Sequence, residues 1–208
     1  RPKSRFGASL QLLSEGQAHL LASRRSDLPP LVAFDLAATH AAIAGDLRRF
    51  GAASALAELA VRCIPPMPNP AVYDQLVDDV RLLELAPADA IAVVALRALW
   101  RLIAELGLAP TVLHCARDGR PLPDGAVAFS LRDGGFLCAG CASGGATTRL
   151  GPDDRADLVA LLGPDGDLPL LAPPNAAAHR RLLLRWVREH VGEGAMPALE
   201  AWALPGAA

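Results

Sequence analysis

Residues 8–34 are the part of the chain whose apolar and polar positions fit a helical period least. Residues 8–21 alternate in patches, Gly16 stands where a bulge or turn would suit it, and residues 31–34 form a short apolar run. Alternation is typical of half-buried strands, and a short apolar run is typical of a buried strand. This segment therefore predicts two or three antiparallel strands, in a sheet so small that it must pack on helices or have lost strands upstream.

From Asp35 onward the apolar positions follow the 3.6-residue period of a helix. Asp35, Asn69 and Asn175 are the predicted N-caps, because their side chains can accept hydrogen bonds from the free N–H groups of a first turn. The segment after Pro87 is apolar on nearly all sides, which is typical of a central core helix. The predicted helices cover residues 35–63 with a break or bend at Gly51, 69–85, 87–107, 152–162 and 175–191.

Residues 108–150 interrupt this pattern with a glycine-rich loop that holds three of the four cysteines. A pair of Cys-x-x-Cys turns aims four thiolates at one point, which is how many proteins bind tetrahedral zinc. Here the second turn is intact, whereas the first has a carboxylate in place of one thiolate, a harder ligand that a sulfur-rich site favours less. We therefore predict a zinc-ribbon-like loop whose ligands are Cys115, Asp118, Cys138 and Cys141.

Other interpretations of this loop stay open from the sequence alone. His114 competes as the fourth ligand, although adjacent residues rarely aim at one ion. The loop could also keep its fold without binding a metal. A redox pair or reactive thiol at Cys138 and Cys141 is the third alternative, and the lack of a strand–helix context argues against it.

Positively charged residues form two groups, and the first group lies near the N-terminus. Residues 1–27 carry five positive side chains against two acidic ones, a net charge of +3, and the five are Arg1, Lys3, Arg5, Arg24 and Arg25. Positive charge on a small sheet can follow a phosphate backbone, and Phe6 could stack on a base. A solvated strand edge protected by charge explains the same residues equally well.

A second basic group lies on the last predicted helix. Arg181, Arg185 and Arg188 stand at positions i, i+4 and i+7 and so share one face, with Arg180 beside it. A phosphate-binding stripe and a solvated polar face are both consistent with this spacing. The helix over 69–85 is acidic instead, which argues against DNA lying there; its acidic residues include Asp74, Asp78 and Asp79.

Composition narrows the function classes only slightly. The formal net charge of −2 neither favours nor excludes nucleic acid. The sequence has no 18-residue uncharged apolar run and no signal peptide at its start, so we expect no membrane span and reduced thiols in the cytoplasm. Because it also has no glycine-rich phosphate loop, nucleophile elbow or His-x-x-x-His pair, we expect a protein that is not an enzyme.

The motifs that carry a family resemblance are Pro2-Lys3-Ser4-Arg5-Phe6, Ala57-Glu58-Leu59, Pro68-Asn69-Pro70, residues 102–110, residues 113–122, Phe129-Ser130 and residues 134–141. In this order they resemble the RecO family of bacterial DNA repair and recombination mediators. That family shows a leucine-rich helix ending in Gly and Pro, two Cys-x-x-Cys knuckles, and a Phe-Ser and a Gly-Gly between them. Asp118 departs from the family pattern, and the chain begins inside what would be the family's N-terminal OB-fold.

The resemblance implies an α+β fold that is mainly α. Residues 1–34 would be the C-terminal part of an OB-fold-like β domain, and residues 35–208 a helical domain with a zinc-knuckle-type loop at 108–150. It also implies a mediator that binds single- and double-stranded DNA, anneals strands, contacts RecR and single-strand DNA-binding protein, and helps to load RecA. The alternative is a zinc-ribbon-like protein–protein adaptor without DNA-binding activity of its own.

Overall fold

The computed structural model describes residues 10–22, 29–124, 127–143, 147–163, 167–192 and 194–204, and it is a mixed α+β structure dominated by helices. The strands are Glu15–Leu20 (β1), Leu31–Ala38 (β2), Val127–Ser130 (β3), Gly135–Leu137 (β4) and Thr148–Leu150 (β5). The helices are Ala41–Gly45 (α1), Leu47–Cys63 (α2), Pro70–Leu85 (α3), Ile91–Glu105 (α4), Ala139–Ala142 (α5), Pro152–Leu162 (α6), Pro173–His190 (α7) and Pro197–Ala203 (α8). Within the described ranges, no helix combines the length and the apolar character needed to cross a membrane.

The N-terminal sheet consists of β1 and β2, which pair antiparallel as predicted. The pairing register shifts between Glu15 and Gly16, so the bulge predicted at Gly16 is confirmed. A side chain at Gly16 would collide with the carbonyl of Asp35 and the ring of Phe34, which explains why glycine is needed there. The strand predicted from Leu31 is confirmed, but β2 is longer, continuing to Ala38, and none of its residues is buried.

Two predicted helix boundaries are wrong for local reasons. Asp35 does not begin a helix, because it lies within β2 and pairs with β1. The interruption predicted at Gly51 lies at Asp46, whose extended backbone separates α1 from α2. The Asp46 carboxylate accepts hydrogen bonds from the N–H groups of Arg48 and Arg49 at 2.9 and 3.0 Å, so it caps α2.

The other two predicted caps have opposite outcomes. Asn69 is confirmed, because its side chain accepts a hydrogen bond from the Val72 N–H at 3.3 Å and Pro70 opens α3. Asn175 is not a cap, because α7 already begins at Pro173. Proline suits a first helical turn, since its φ is fixed near the helical value and its missing N–H would have no partner there.

The core is built around α4, the central helix that the sequence predicts. Leu96, Leu99 and Trp100 of α4 have no exposed surface, and α2, α3, α6 and α7 all contact this helix. The short helix α8 was not predicted; it packs on α2 and α7 and buries Leu199 and Trp202. Its seven residues are too few to show a clear period, so only the burial of its apolar side chains identifies it.

The contact between α3 and α4 contains a buried charge. Asp79 of α3 is 2% exposed and lies 3.3 Å from the guanidinium of Arg101 on α4, with the Gln75 amide at 3.4 Å. Asp79 therefore does not add to the exposed acidic charge of α3, because its side chain points into the helix contact. Asp74 and Asp78 do lie on the exposed side of α3.

Candidate metal centre

A three-stranded antiparallel sheet with the order β4-β3-β5 carries the cysteine-containing loop. The buried rings of Phe129 in β3 and Phe136 in β4 meet edge to face, with 5.0 Å between their centroids. Gly135 lets the segment before the first cysteine lie against β4, because a side chain at Gly135 would collide with the Thr111 backbone. The sheet thereby holds the two cysteine motifs beside each other.

The first motif is a tight turn that docks on β4. The Ala116 N–H donates to the Phe136 carbonyl at 2.8 Å, and the Cys115 N–H donates to the Arg120 carbonyl at 2.7 Å. Gly119 adopts a left-handed φ of 73°, which glycine allows without steric cost, and its N–H donates to the Cys115 carbonyl at 2.9 Å. The turn brings both potential ligands of this motif close to the second motif.

The second motif lies between β4 and the short helix α5. The N–H groups of Cys141 and Ala142 both donate to the Cys138 carbonyl at 3.0 Å. The expectation that this motif lacks a strand–helix context is therefore wrong, although α5 has only four residues. A redox-active thiol needs a lowered pKa, whereas the pKa of Cys141 is raised to about 12 by its hydrogen bond with Cys138 and by burial.

The predicted ligands form one group, which we call the cysteine–aspartate cluster: Cys115, Asp118, Cys138 and Cys141. Their ligand atoms all lie within 4.8 Å of one another. The Oδ2 atom of Asp118 lies 3.5 Å from the sulfur of Cys138 and 3.4 Å from that of Cys141. Thiolate ligands of a tetrahedral zinc ion are about 3.8 Å apart, so the donor set and spacing fit this metal. His114 is exposed and lies outside the cluster.

The charges within the cluster depend strongly on one another. Hydrogen bonds from the Arg120 N–H and the Cys115 thiol lower the pKa of Asp118 to about 2. Burial opposes ionisation of the Cys115 thiol, but backbone N–H groups of both motifs donate to its sulfur and together lower its pKa. A divalent cation would neutralise the negative charge gathered here and displace the remaining thiol protons. Metal affinity should therefore fall as the pH is lowered.

Arg117 and Asp133 support the cluster, and the sequence pattern did not reveal them. The Arg117 guanidinium donates to the Cys141 carbonyl at 2.6 Å and forms a two-pronged ion pair with Asp133, with its shortest N–O distance at 2.9 Å. The Ser130 hydroxyl donates to the same Asp133 carboxylate at 2.6 Å. Arg117 thus connects the first motif to the second. The only sequence signal for this role is an arginine inside the first turn, and nothing in the spacing indicates Asp133 as its partner.

The basic face predicted on α7 is present. Arg181, Arg185 and Arg188 are all exposed, and Arg188 forms an ion pair with Glu200 at 2.9 Å. Arg181 and Arg185 form no ion pair with any residue that the structure describes. Arg180 is buried instead and donates to a backbone carbonyl of α8. The N-terminal residues predicted to bind DNA lie outside the described ranges: Arg1, Lys3, Arg5, Phe6, Arg24 and Arg25.

We expect the cysteine–aspartate cluster to retain about one zinc ion per chain, because four converging ligands close a tetrahedral site. Cys138→Ser should lose the zinc, because a hydroxyl is a poor replacement for a thiolate. Asp118→Cys should retain zinc against roughly tenfold more chelator, because it restores a fourth soft ligand. Elemental analysis of the purified proteins and competition with a chromogenic chelator measure both effects.

Cys63→Ser is the matched control, because Cys63 lies in α2 outside the cluster and undergoes the same chemical change. It should keep the zinc content of the unmodified chain. Equal zinc loss in Cys63→Ser and Cys138→Ser would contradict the assignment, as would a folded, unmodified chain that binds no zinc.

Comparison with known proteins places the chain in a family. Residues 44–200 match the family model described as recombination protein O, C terminal. Two proteins named DNA repair protein RecO, from Anaeromyxobacter sp. (strain K) and Anaeromyxobacter dehalogenans (strain 2CP-C), are each 32% identical, with 91% of this chain and 76% of each relative covered. A third of that name, from Cyanothece sp. (strain PCC 7425 / ATCC 29141), is 29% identical over 66% of this chain and 48% of the relative. The chain therefore belongs to the RecO family.

Proposed function

We propose that the protein is a non-enzymatic mediator of DNA repair and homologous recombination. The observation that carries this proposal is the match of 91% of the chain to relatives named DNA repair protein RecO. In the proposed role, the protein works in the cytoplasm, binds single- and double-stranded DNA and promotes annealing of complementary strands. Together with RecR, it helps to load RecA on DNA that is coated by single-strand DNA-binding protein.

The geometry of the cysteine–aspartate cluster supports a structural role for zinc. A catalytic zinc ion keeps one coordination position open for water or substrate, whereas four protein ligands close a tetrahedral site. Cys115, Asp118, Cys138 and Cys141 supply four such ligands within 4.8 Å. In this proposal zinc joins the two motifs and makes the small β3–β5 sheet rigid, and it takes part in no chemical step.

The basic face of α7 is the described surface that best supports DNA binding. Arg181 and Arg185 are exposed and have no acidic partner among the described residues, so their charges are available to phosphates. The charge of Arg188 is partly offset by Glu200. We extend the DNA-binding surface to the N-terminal basic residues on sequence grounds, with β1 and β2 as the remaining part of an OB-fold.

Reversing the charges at Arg181 and Arg185 to Glu should weaken binding of single-stranded DNA by roughly tenfold or more at low salt, because two phosphate contacts become repulsive. The dependence of log affinity on log salt should also become shallower, by about 1.4, since each lost single-strand contact removes about 0.7. Fluorescence anisotropy with a labelled oligonucleotide over a salt series measures both quantities.

Arg149→Glu is the control for this experiment, because Arg149 is an exposed arginine on β5 rather than on α7. It changes the net charge by −2, as Arg185→Glu alone does, so a smaller effect than that of the single variant Arg185→Glu would show that position matters and not charge alone. An unchanged salt dependence in the Arg181→Glu/Arg185→Glu variant would remove α7 from the DNA surface. If the unmodified chain bound no DNA at any salt concentration, the adaptor alternative would replace the mediator proposal.

A further inference from the structure

A second group of potential metal ligands lies away from the cysteine–aspartate cluster. Asp154 and Asp157 stand at i and i+3 on α6, so their side chains share one face, and His179 lies on α7. One ligand atom from each residue lies within 4.8 Å of the other two. We call these three residues the aspartate–histidine cluster. His179 lies at least 22 positions beyond the two aspartates in sequence, so only the tertiary structure brings α6 and α7 together at this site.

His179 is the unusual member of this cluster. Its side chain is 2% exposed, and neither ring nitrogen has a hydrogen-bond partner among the described residues. The closest carboxylate oxygen, on Asp157, lies 3.8 Å from Nε2, which is longer than a hydrogen bond. Buried polar groups in folded proteins almost always have a hydrogen-bond or metal partner. The unpaired imidazole of His179 therefore indicates that this cluster binds a ligand.

The two carboxylates connect the buried imidazole to the surface. Asp154 and Asp157 are each partly exposed, so a hydrated ion can reach the imidazole from their side. The N–H of Gly151 donates to Oδ2 of Asp154 at 3.1 Å, which holds that carboxylate in place at the start of α6. Arg155, which lies between the two aspartates in sequence, donates instead to the carbonyls of Val112 and Pro123. The guanidinium of Arg155 is therefore directed to these carbonyls, and His179 is the member of the cluster that α7 supplies.

We propose that Asp154, Asp157 and His179 bind a divalent transition-metal ion that bridges α6 and α7. Two carboxylates and one imidazole are a mixed donor set that suits Mn²⁺ and related ions, with the remaining coordination positions filled by water. The thiolate-rich cysteine–aspartate cluster prefers a softer metal, and Mn²⁺ stands at the weak end of the divalent series for such ligands. The two sites therefore select different metals, and Mn²⁺ can be used to probe the new one separately.

The test begins with dialysis of the full chain against a mild chelator. The chain is then titrated with Mn²⁺, and the free ion is measured by its electron paramagnetic resonance signal. The unmodified chain and Cys138→Ser should each bind about one Mn²⁺ ion, because the thiols are not its ligands. Asp157→Asn should weaken that binding roughly tenfold or more, since it removes the charge of a ligand. Asp153 is an exposed acidic residue that shares the first turn of α6 with Asp154, and Asp153→Asn should leave the affinity unchanged.

A second measurement keeps the proposal independent of variant folding. The bound Mn²⁺ in the unmodified chain should show electron spin echo modulation from a coordinated ¹⁴N nucleus, because the buried imidazole is its only proposed nitrogen ligand. Absence of the nitrogen modulation would overturn the site. Equal loss of affinity in Asp153→Asn and Asp157→Asn would also overturn it, because the ion would then be held only by diffuse acidic charge.

Discussion

Replacing Trp186 by alanine is expected to lower the free energy of unfolding by about 3–5 kcal/mol, the usual cost of removing a large aromatic side chain from a core. Trp186 is 2% exposed, and its ring lies 6.2 Å from Trp100 of α4 and 5.7 Å from Phe129 of β3, measured between centroids. Its indole N–H donates to the Leu108 carbonyl at 2.9 Å. One side chain of α7 therefore contacts both the central helix α4 and the β3 strand of the sheet that carries the cysteine–aspartate cluster.

Chemical denaturation at a fixed zinc concentration measures this loss. Trp186→Phe should cost less, about 1–2 kcal/mol, because a ring remains in the core while the hydrogen bond to Leu108 is lost. Tyr73→Ala is the matched control for aromatic truncation, because Tyr73 is 53% exposed on α3, and it should cost no more than about 0.5 kcal/mol. A cost for Trp186→Ala as small as that of Tyr73→Ala would show that this side chain does not join the parts of the core.

Replacing Arg101 by methionine is expected to lower the free energy of unfolding by about 2–4 kcal/mol at pH 7, because Asp79 then remains buried without its ion-pair partner. The Asp79 side chain is 2% exposed, whereas that of Arg101 is 24% exposed, so the loss should lie below that of a fully buried pair. Burial raises the pKa of Asp79 above its usual value, and Arg101 opposes that rise. Loss of Arg101 should therefore raise this pKa further.

The sign of the pH dependence follows from this shift. A carboxyl group whose pKa is higher in the folded than in the unfolded chain binds its proton more tightly when folded, so stability increases as the pH falls through the folded pKa. The destabilisation in Arg101→Met should therefore be smaller at pH 5 than at pH 7. The double variant Asp79→Asn/Arg101→Met should lack this difference, because no buried charge is left. A pH-independent loss in Arg101→Met would contradict the role assigned to Asp79.

The pattern of apolar positions predicted the central features of the fold because those features are encoded locally. The helix α4 is buried on nearly all sides, and its sequence is apolar on nearly all sides. The Asn69–Pro70 pair opens α3 because both residues act within a single turn. The bulge at Gly16 was predicted from a local signal, a glycine inside an alternating segment, although the collision that glycine avoids is with Phe34 and Asp35 of the neighbouring strand.

The boundaries that failed were decided by competition with distant parts of the chain. Asp35 can cap a helix, but pairing of β2 with β1 holds its backbone in an extended conformation. Asp79 is one of several acidic residues in the sequence of this helix, yet the packing of α3 on α4 buries it against Arg101. Neither result can be obtained from residue type and spacing, because both depend on which element lies opposite.

The sequence by itself determined which residues could bind zinc, because they stand in two short motifs. Each motif places its two ligand residues three positions apart. This spacing is local, so a tight turn can satisfy it in any fold. Only the tertiary structure decided that the two motifs meet, because Asp118 and Cys138 are 20 positions apart in sequence, with β3 and β4 between them. It likewise decided that Arg117 joins them, and that Asp154, Asp157 and His179 share one site. The physical reason is that ligation and ion pairing require contact within a few ångströms, and for residues far apart in sequence that contact is set by how helices and strands pack.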